Sequence, residues 1–302
     1  MTHFVINPIF AFMSSDSSRS SALLGQRPLG AVRTTPKWPS PRDNGVLASL
    51  PDHEIERLHM LMHRVLLKRD QILHEVGQRV ENAYFLCDGL VSLTLNCQQG
   101  VDFELGLVGR EGVVGEREVL ADGVAVVRSQ VQLAGSAYVL PMDVLRAEFR
   151  RGGPLQDAIL RQVHARLVET SQVALCNHLH GMEEKLCRWL LTIYDRAQTS
   201  DLPLTQEFIA RMLATRRSGV TIAAGTLRKS GLIDYSRGHI KILNPQGLER
   251  SACECYRVIK ASQEPARVAR VLAQSQKEPL LTSSATKIET PDLDGTPLPL
   301  EQ

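Results

Sequence analysis

The segment at 204–243, "LTQEFIARMLATRRSGVTIAAGTLRKSGLIDYSRGHIKIL", constrains the fold more tightly than any other part of the chain. Thr205 can cap a helix whose apolar face holds Phe208, Ile209, Met212 and Leu213. Ala214 and Thr215 leave room only for a tight turn. Val220, Ala223, Ala224 and Leu227 then recur at i, i+3, i+4 and i+7, the buried stripe of a second helix over 216–229. Gly231 stops that helix, and two short strands follow about Arg237 and Gly238, a hairpin signal.

Helix, turn, helix and hairpin in this order make a winged helix-turn-helix. In such a unit the second helix enters the major groove of DNA with its N-terminal side chains against base edges. That role explains an otherwise odd face, on which Arg217, Ser218 and Thr221 stand together on a helix with a buried stripe. Arg217 can donate twice to guanine O6 and N7, and Ser218 or Thr221 can serve either base; Ile222 completes the base-reading set. Thr205, Gln206, Arg216, Arg228, Lys229, Arg237, His239 and Lys241 form the phosphate-contacting set, which supplies affinity more than sequence information. Local charge agrees. Over 204–243, Arg211, Arg216, Arg217, Arg228, Lys229, Arg237 and Lys241 face only Glu207 and Asp234, although the whole chain carries a net charge of only +2.

The rest of the chain divides around this unit. The chain has 302 residues, 43% hydrophobic and 23% charged, enough for two domains with their own cores. Residues 1–48 read as a disordered leader, because 14–45 is rich in Ser, Pro and Arg and lacks periodicity. Its opening run "MTHFVINPIFAFM" has no cationic stretch before it and is broken by Pro8. It reads as neither signal peptide nor membrane span, so the expected location is cytoplasmic with no membrane partner. Residues 49–153 read as an all-β roll. "AYFLCDGLVSLTLN", "VDFELGLV", "VVRSQVQLAG" and "AYVLP" are short strand patterns separated by turn residues. Residues 154–181 read as one long helix on which Leu160, Val163, Leu167, Thr170, Ala174 and Asn177 are spaced 3, 4, 3, 4, 3. That spacing is a coiled-coil seam, and a helix packed on its own β-domain stays open as the other reading. A helix burying Leu186, Leu190 and Ile193 opens the DNA-binding part at 182–260, and 261–302 reads as a mostly disordered acidic tail. The fold class is α+β: an N-terminal antiparallel β-roll, a long dimerisation helix and a C-terminal winged helix-turn-helix.

Residues from about 50 to about 260 resemble the Crp/Fnr family of bacterial transcription regulators. The resemblance is carried by "LTQEFIARMLATRRSGVTIAAGTLRKSGLI" with its hairpin and by "YFLCDGLVSLTL" in the roll. It implies a homodimer on a two-fold-symmetric DNA operator, acting with RNA polymerase, and no enzymatic activity. The recognition helix departs from the best-known members, which commonly carry Glu where this chain has Ser218 and Arg where it has Ile222. Arg217 matches the arginine of the catabolite activator branch. The familiar half-site therefore does not carry over, while major-groove reading does.

Cyclic-nucleotide members hold phosphate with a Gly-Glu pair and a later Arg-Ser or Arg-Ala. Here Gly115, Glu116, Arg128 and Ser129 stand in that order, with Thr170 and Ser171 on the long helix where the base is met. The resemblance admits a cyclic nucleotide or another small anion as effector. Arg117 and Glu118 depart from the small or apolar residues usual there, and a structural pairing of Arg128 with Glu116 or Asp122 is the other reading. Six cysteines, at 87, 97, 176, 187, 253 and 255, include no C-x-x-C pair and read as buried, reduced thiols. No metal site is expected, either at Cys253 and Cys255 or at His178 and His180. The alternative function is a ligand-sensing roll that acts through a protein partner rather than DNA.

Overall fold

The computed structural model describes residues 38–96, 102–121 and 123–262. A 3-10 turn at Pro41–Asp43 leads into the short helix α1 (Gly45–Ala48). This part of the expected leader is anchored rather than disordered. Asn44 is fully buried, and its amide nitrogen donates to the carbonyls of Leu86 (2.9 Å) and Gly112 (2.7 Å). Val46 and Leu47 join the core beside it. A satisfied buried amide and two buried aliphatic side chains outweigh the local composition. The leader and tail readings at 1–37 and 263–302 lie outside the described residues.

After α2 (Asp52–His59) the chain builds two antiparallel sheets from β1 (His63–Leu67), β2 (Ile72–His74), β3 (Asn82–Leu86), β4 (Leu90–Asn96), β5 (Asp102–Val108), β6 (Val113–Val114), β7 (Arg128–Leu133) and β8 (Gly135–Pro141). The strand orders are β1-β8-β3-β6 and β2-β7-β4-β5. The turn at Asp88 and Gly89 therefore closes no hairpin. It carries the chain from β3 in one sheet to β4 in the other. Leu86, Val91, Leu93, Val108, Val131 and Ala137 fill the space between the sheets. Inward apolar residues on both sheets make the roll's core.

Helix α3 (Met142–Arg150) leads through Gly152 and Gly153 to α4 (Pro154–Leu179), which Pro154 opens with a φ already suited to a first turn. One face of α4 buries Leu155, Ala158, Ile159, Ala165, Val173 and Cys176. The opposite face leaves Leu160 45% and Leu167 64% exposed, with Ala174 exposed and Val163, Thr170 and Asn177 half-buried. The helix thus packs on its own domain, as the second of the two readings expected, and leaves an apolar stripe open on the face where the first placed a seam.

Next come α5 (Met182–Ala197), β9 (Asp201–Leu202), α6 (Gln206–Met212), α7 (Arg217–Lys229), β10 (Ile233–Ser236), β11 (His239–Ile242), α8 (Pro245–Ser251) and α9 (Cys255–Ala261). Leu186, Trp189, Leu190 and Ile193 of α5 sit in one core with Ile209, Val220, Leu227 and Ile240. The sequence reading did not include β9, which adds a third strand to the hairpin through Leu202 and Ile240.

A buried charge network ties the roll to α4 and α5. Arg166 donates to the Leu107 carbonyl (2.6 Å), pairs with Glu116 (3.3 Å) and contacts Glu169. Arg196 reaches the same carbonyl and pairs with Glu169 (2.9 Å) and Glu111 (3.2 Å). Gly106 permits this approach, since a Cβ there would lie 3.0 Å from both the Arg166 guanidinium and the Glu169 carboxylate. Beside the network, Glu104 accepts a hydrogen bond from Trp189 Nε1 (2.6 Å), while its other oxygen has no partner. Burial pushes its carboxyl up to about 8, and the Glu169 charge adds to the shift.

A carboxyl whose folded pKa stands above its unfolded value holds its proton more tightly in the folded chain. Stability is then expected to fall as pH rises from about 4.5 to about 8 and to level off above, by a few kcal/mol at most. Glu104→Gln keeps an acceptor for Trp189 and removes the ionisation. Its melting temperature should exceed that of wild type at the alkaline end of this window and match it at the acid end. An unchanged pH slope in circular-dichroism melts of the variant would assign the titration to another group.

Candidate nucleic-acid interface

Thr205 caps α6, its hydroxyl accepting from the Phe208 amide (3.1 Å). The turn to α7 puts Ala214 in the left-handed region (φ 47°), a conformation no glycine advertises in the sequence. The α7 helix begins at Arg217, one residue later than expected, with Arg216 extended at its cap. Val220, Ala223, Ala224 and Leu227 are buried against α5 and α6. The other face is open: Arg216, Arg217, Ser218 and Thr221 are exposed and Ile222 is 70% exposed. An isoleucine so exposed beside polar groups is suited to a thymine methyl.

Two of these side chains are joined within the protein. Thr221 Oγ1 lies within hydrogen-bond distance of Gln206 Oε1 (2.8 Å) and of its own helix's Arg217 carbonyl (3.0 Å). Its single proton is therefore committed, and its lone pairs and methyl remain for a base. Gln206, half-buried, is held by this bond and by its backbone N–H donating to the Tyr235 hydroxyl (3.2 Å). The hairpin turns through Arg237 (φ 47°) and Gly238 (φ 80°), with Ser236 paired to His239. Arg237, His239 and Lys241 are exposed on it, as are Arg228 and Lys229 at the end of α7. Arg228 pairs with Asp234 (3.2 Å) and His239 with Asp201 (3.4 Å), in exposed positions where such pairs are weak and readily exchanged for a phosphate.

The effector residues are distributed differently from the sequence reading. Gly115 follows β6, and the buried Glu116 is paired with Arg166 on α4. Arg128 and the buried Ser129 open β7, and Arg128 pairs with Glu75 (3.0 Å) rather than with Glu116; Asp122 lies outside the described residues. This contact holds the Glu75 carboxyl below its usual value. The Ser171 hydroxyl is on the exposed side of α4 and donates to the Leu167 carbonyl of its own helix (2.8 Å), so it needs no partner across a seam. A buried carboxylate takes the guanidinium that the tertiary fold brings to it, and nothing in the local motif specified Arg166. A cleft of about 620 Å³ opens elsewhere, lined by Arg42, Arg110, Glu111, Asp195, Arg196 and Lys260 among others.

Where no metal site was expected, the structure brings Cys176, His180, Cys253 and Cys255 together. The signal available was weak: Cys176 and His180 are four apart at the end of one helix, and the other two residues lie more than seventy positions later in the chain.

Residues 184–251 match the Crp-like helix-turn-helix domain. The anaerobic regulatory protein of Bacillus subtilis is 23% identical over 210 residues, spanning 66% of this chain and 87% of that protein. A crp/fnr-family protein from Eubacterium rectale, described as a transcriptional regulator, shares the fold with a TM-score of 0.56. It is 15% identical and covers 72% of this chain and 99% of its own. FixK2 from Bradyrhizobium japonicum gives a TM-score of 0.55 at 15% identity, covering 64% of this chain and 98% of its own. The exposed basic face of α7 lies within this helix-turn-helix match, the class of domain that binds DNA. The chain therefore carries a Crp-like helix-turn-helix domain at 184–251 and shares the fold of the Crp/Fnr proteins it resembles. Among the described residues no helix is long and apolar enough to cross a membrane.

Proposed function

We propose that the chain acts as a homodimer on an inverted-repeat operator, with α7 of each protomer in successive major grooves and RNA polymerase as its partner at the promoter. The observation that carries this reading is the outward set Arg217, Ser218, Thr221 and Ile222 on α7, set between exposed cations and backed by a fully packed face. Base readers need rigid support, and the α5–α6–α7 core supplies it. The open stripe of Leu160, Val163, Leu167 and Ala174 supports pairing of α4 with a second copy, where Thr170 and Asn177 would be the polar positions of the seam. Modulation through the roll belongs to the same reading. A small anion or cyclic nucleotide there must compete with Glu75 for Arg128, or with Arg166 for Glu116. Only a ligand that binds one arrangement of the dimer more tightly can act as the signal.

In an electrophoretic shift assay, Arg217→Ala is expected to cost about 1–3 kcal/mol and to relax preference at one base pair per half-site. Lys229→Ala should weaken all sequences alike and flatten the salt dependence. If neither wild type nor variant bound duplex DNA at low salt, the roll would instead be a sensing module acting through a protein partner.

Leu167→Asp would place a charge in the seam of each protomer, at a cost of several kcal/mol unless the charge is neutralised or reaches water. Light scattering is expected to show monomer and operator affinity to collapse, because one half-site offers too few contacts. A stable dimer of the variant would locate the interface on another face.

A further inference from the structure

From the convergence of Cys176, His180, Cys253 and Cys255 we infer a structural zinc site that joins the end of α4 to the segment following the winged helix-turn-helix. Cys176 lies in the last turn of α4 and His180 caps it, while Cys253 and Cys255 flank the start of α9. The three sulfurs are buried, and the four ligand atoms all lie within 4.8 Å of one another. Cys176 Sγ is 3.5 Å from Cys253 Sγ, and Cys255 Sγ is 3.6 Å from His180 Nδ1. Zinc bonds of about 2.3 Å to sulfur and about 2.0–2.1 Å to nitrogen put tetrahedral edges near 3.8 Å for S···S and near 3.5 Å for S···N. Those two separations lie close to the edges of such a tetrahedron, and the other ligand atoms stand within 4.8 Å. They are far too long for a disulfide, whose sulfurs stand about 2.05 Å apart.

The surroundings fit the same ion. His180 Nε2 is 3.2 Å from the Glu254 carboxylate, which orients the ring so that Nδ1 faces the three sulfurs. A carboxylate behind a ligating histidine is the usual outer support of a zinc ligand. Arg188 is buried, and its Nε donates to Cys176 Sγ (3.2 Å). Beside three neutral thiols that guanidinium has Glu104 within electrostatic reach, a carboxyl that burial pushes toward its neutral form. Three thiolates around a dication leave one negative charge, which the guanidinium neutralises. Soft thiolates with one imidazole and no open position select zinc in a structural role. A single-ion site also accounts for the closeness of all four ligands, since an iron–sulfur cluster distributes its ligands over two or more irons and spreads them apart.

The consequence concerns how the reading helix is carried. Cys176 and His180 precede the matched helix-turn-helix domain at 184–251 in sequence, and Cys253 and Cys255 follow it. A shared ion therefore clamps both chain ends of that domain to the end of α4. The effect on operator binding rests on the function proposed above; the metal content does not.

The test uses full-length protein purified without oxygen and without chelator. Mass spectrometry of metals is expected to find about one zinc per chain. Cobalt(II) exchanged into the wild type should show the ligand-field and thiolate charge-transfer bands of a tetrahedral sulfur-rich site. Cys255→Ser should lose the ion, His180→Cys should retain it, and Glu254→Gln should weaken it by roughly 10–100-fold. Wild type without stoichiometric zinc and without cobalt bands would overturn the site, as would a Cys176–Cys253 disulfide or the absorption of an iron–sulfur cluster. The wild-type measurements decide this even if a variant fails to fold. Operator binding measured alongside separates the two readings: zinc without operator binding sinks the proposed function alone, and operator binding without zinc sinks the metal site alone.

Discussion

Two arginines from different helices converge on one backbone carbonyl, that of Leu107, and the arrangement of the other parts depends on that meeting. Arg166 comes from α4 and Arg196 from α5, and Glu169 lies between them, with Glu116 and Glu111 at the two ends. Buried charges of this kind contribute little net stability, but removing one partner is costly, about 3–5 kcal/mol, because it strands the other. Their effect is positional. The roll, the long helix and the first helix of the DNA-binding part are held in one relation, and Gly106 leaves the space in which they meet.

That relation makes α4 two-faced. Its inner side is committed to the roll through Leu155, Ile159 and Arg166, so only the stripe containing Leu160 and Leu167 remains for another chain. The roll meets the C-terminal part by several routes. One runs through Arg166, Glu169 and Arg196. Another runs along α4 to Cys176 and His180, which meet the segment after α8. The hydrophobic core of α5, α6 and α7 also takes in Leu90 and Leu107 of the roll, and the exposed face of α7 lies on its outer side.

Local pattern carried far in this chain where an element's role is written in its own residues. The second helix of the helix-turn-helix was legible from Val220, Ala223, Ala224 and Leu227, because helical periodicity is a local property that burial merely ratifies. The exposed face of that helix followed from it by subtraction. The pairing of Arg128 was not legible, since Glu75 lies on a strand more than fifty residues away and no spacing rule links them. The anchoring of Asn44 was hidden for the same reason: its partners Leu86 and Gly112 come from the roll. The separation of β3 and β4 into different sheets was also hidden, because a turn signal says that the chain bends and not what each strand pairs with.

The sequence by itself determined the order of the main parts, the buried and open faces of α7, the apolar stripe along α4, and the local excess of positive charge around α7. Those are properties of residues within a few turns of one another. Only the tertiary structure decided which carboxylate each buried arginine meets, which face of α4 stays open, and that Cys176 and His180 meet Cys253 and Cys255 across the whole DNA-binding domain. Such contacts join segments far apart in the chain. Their partners are selected by packing and by the cost of leaving a buried charge or polar group alone, neither of which a linear pattern records.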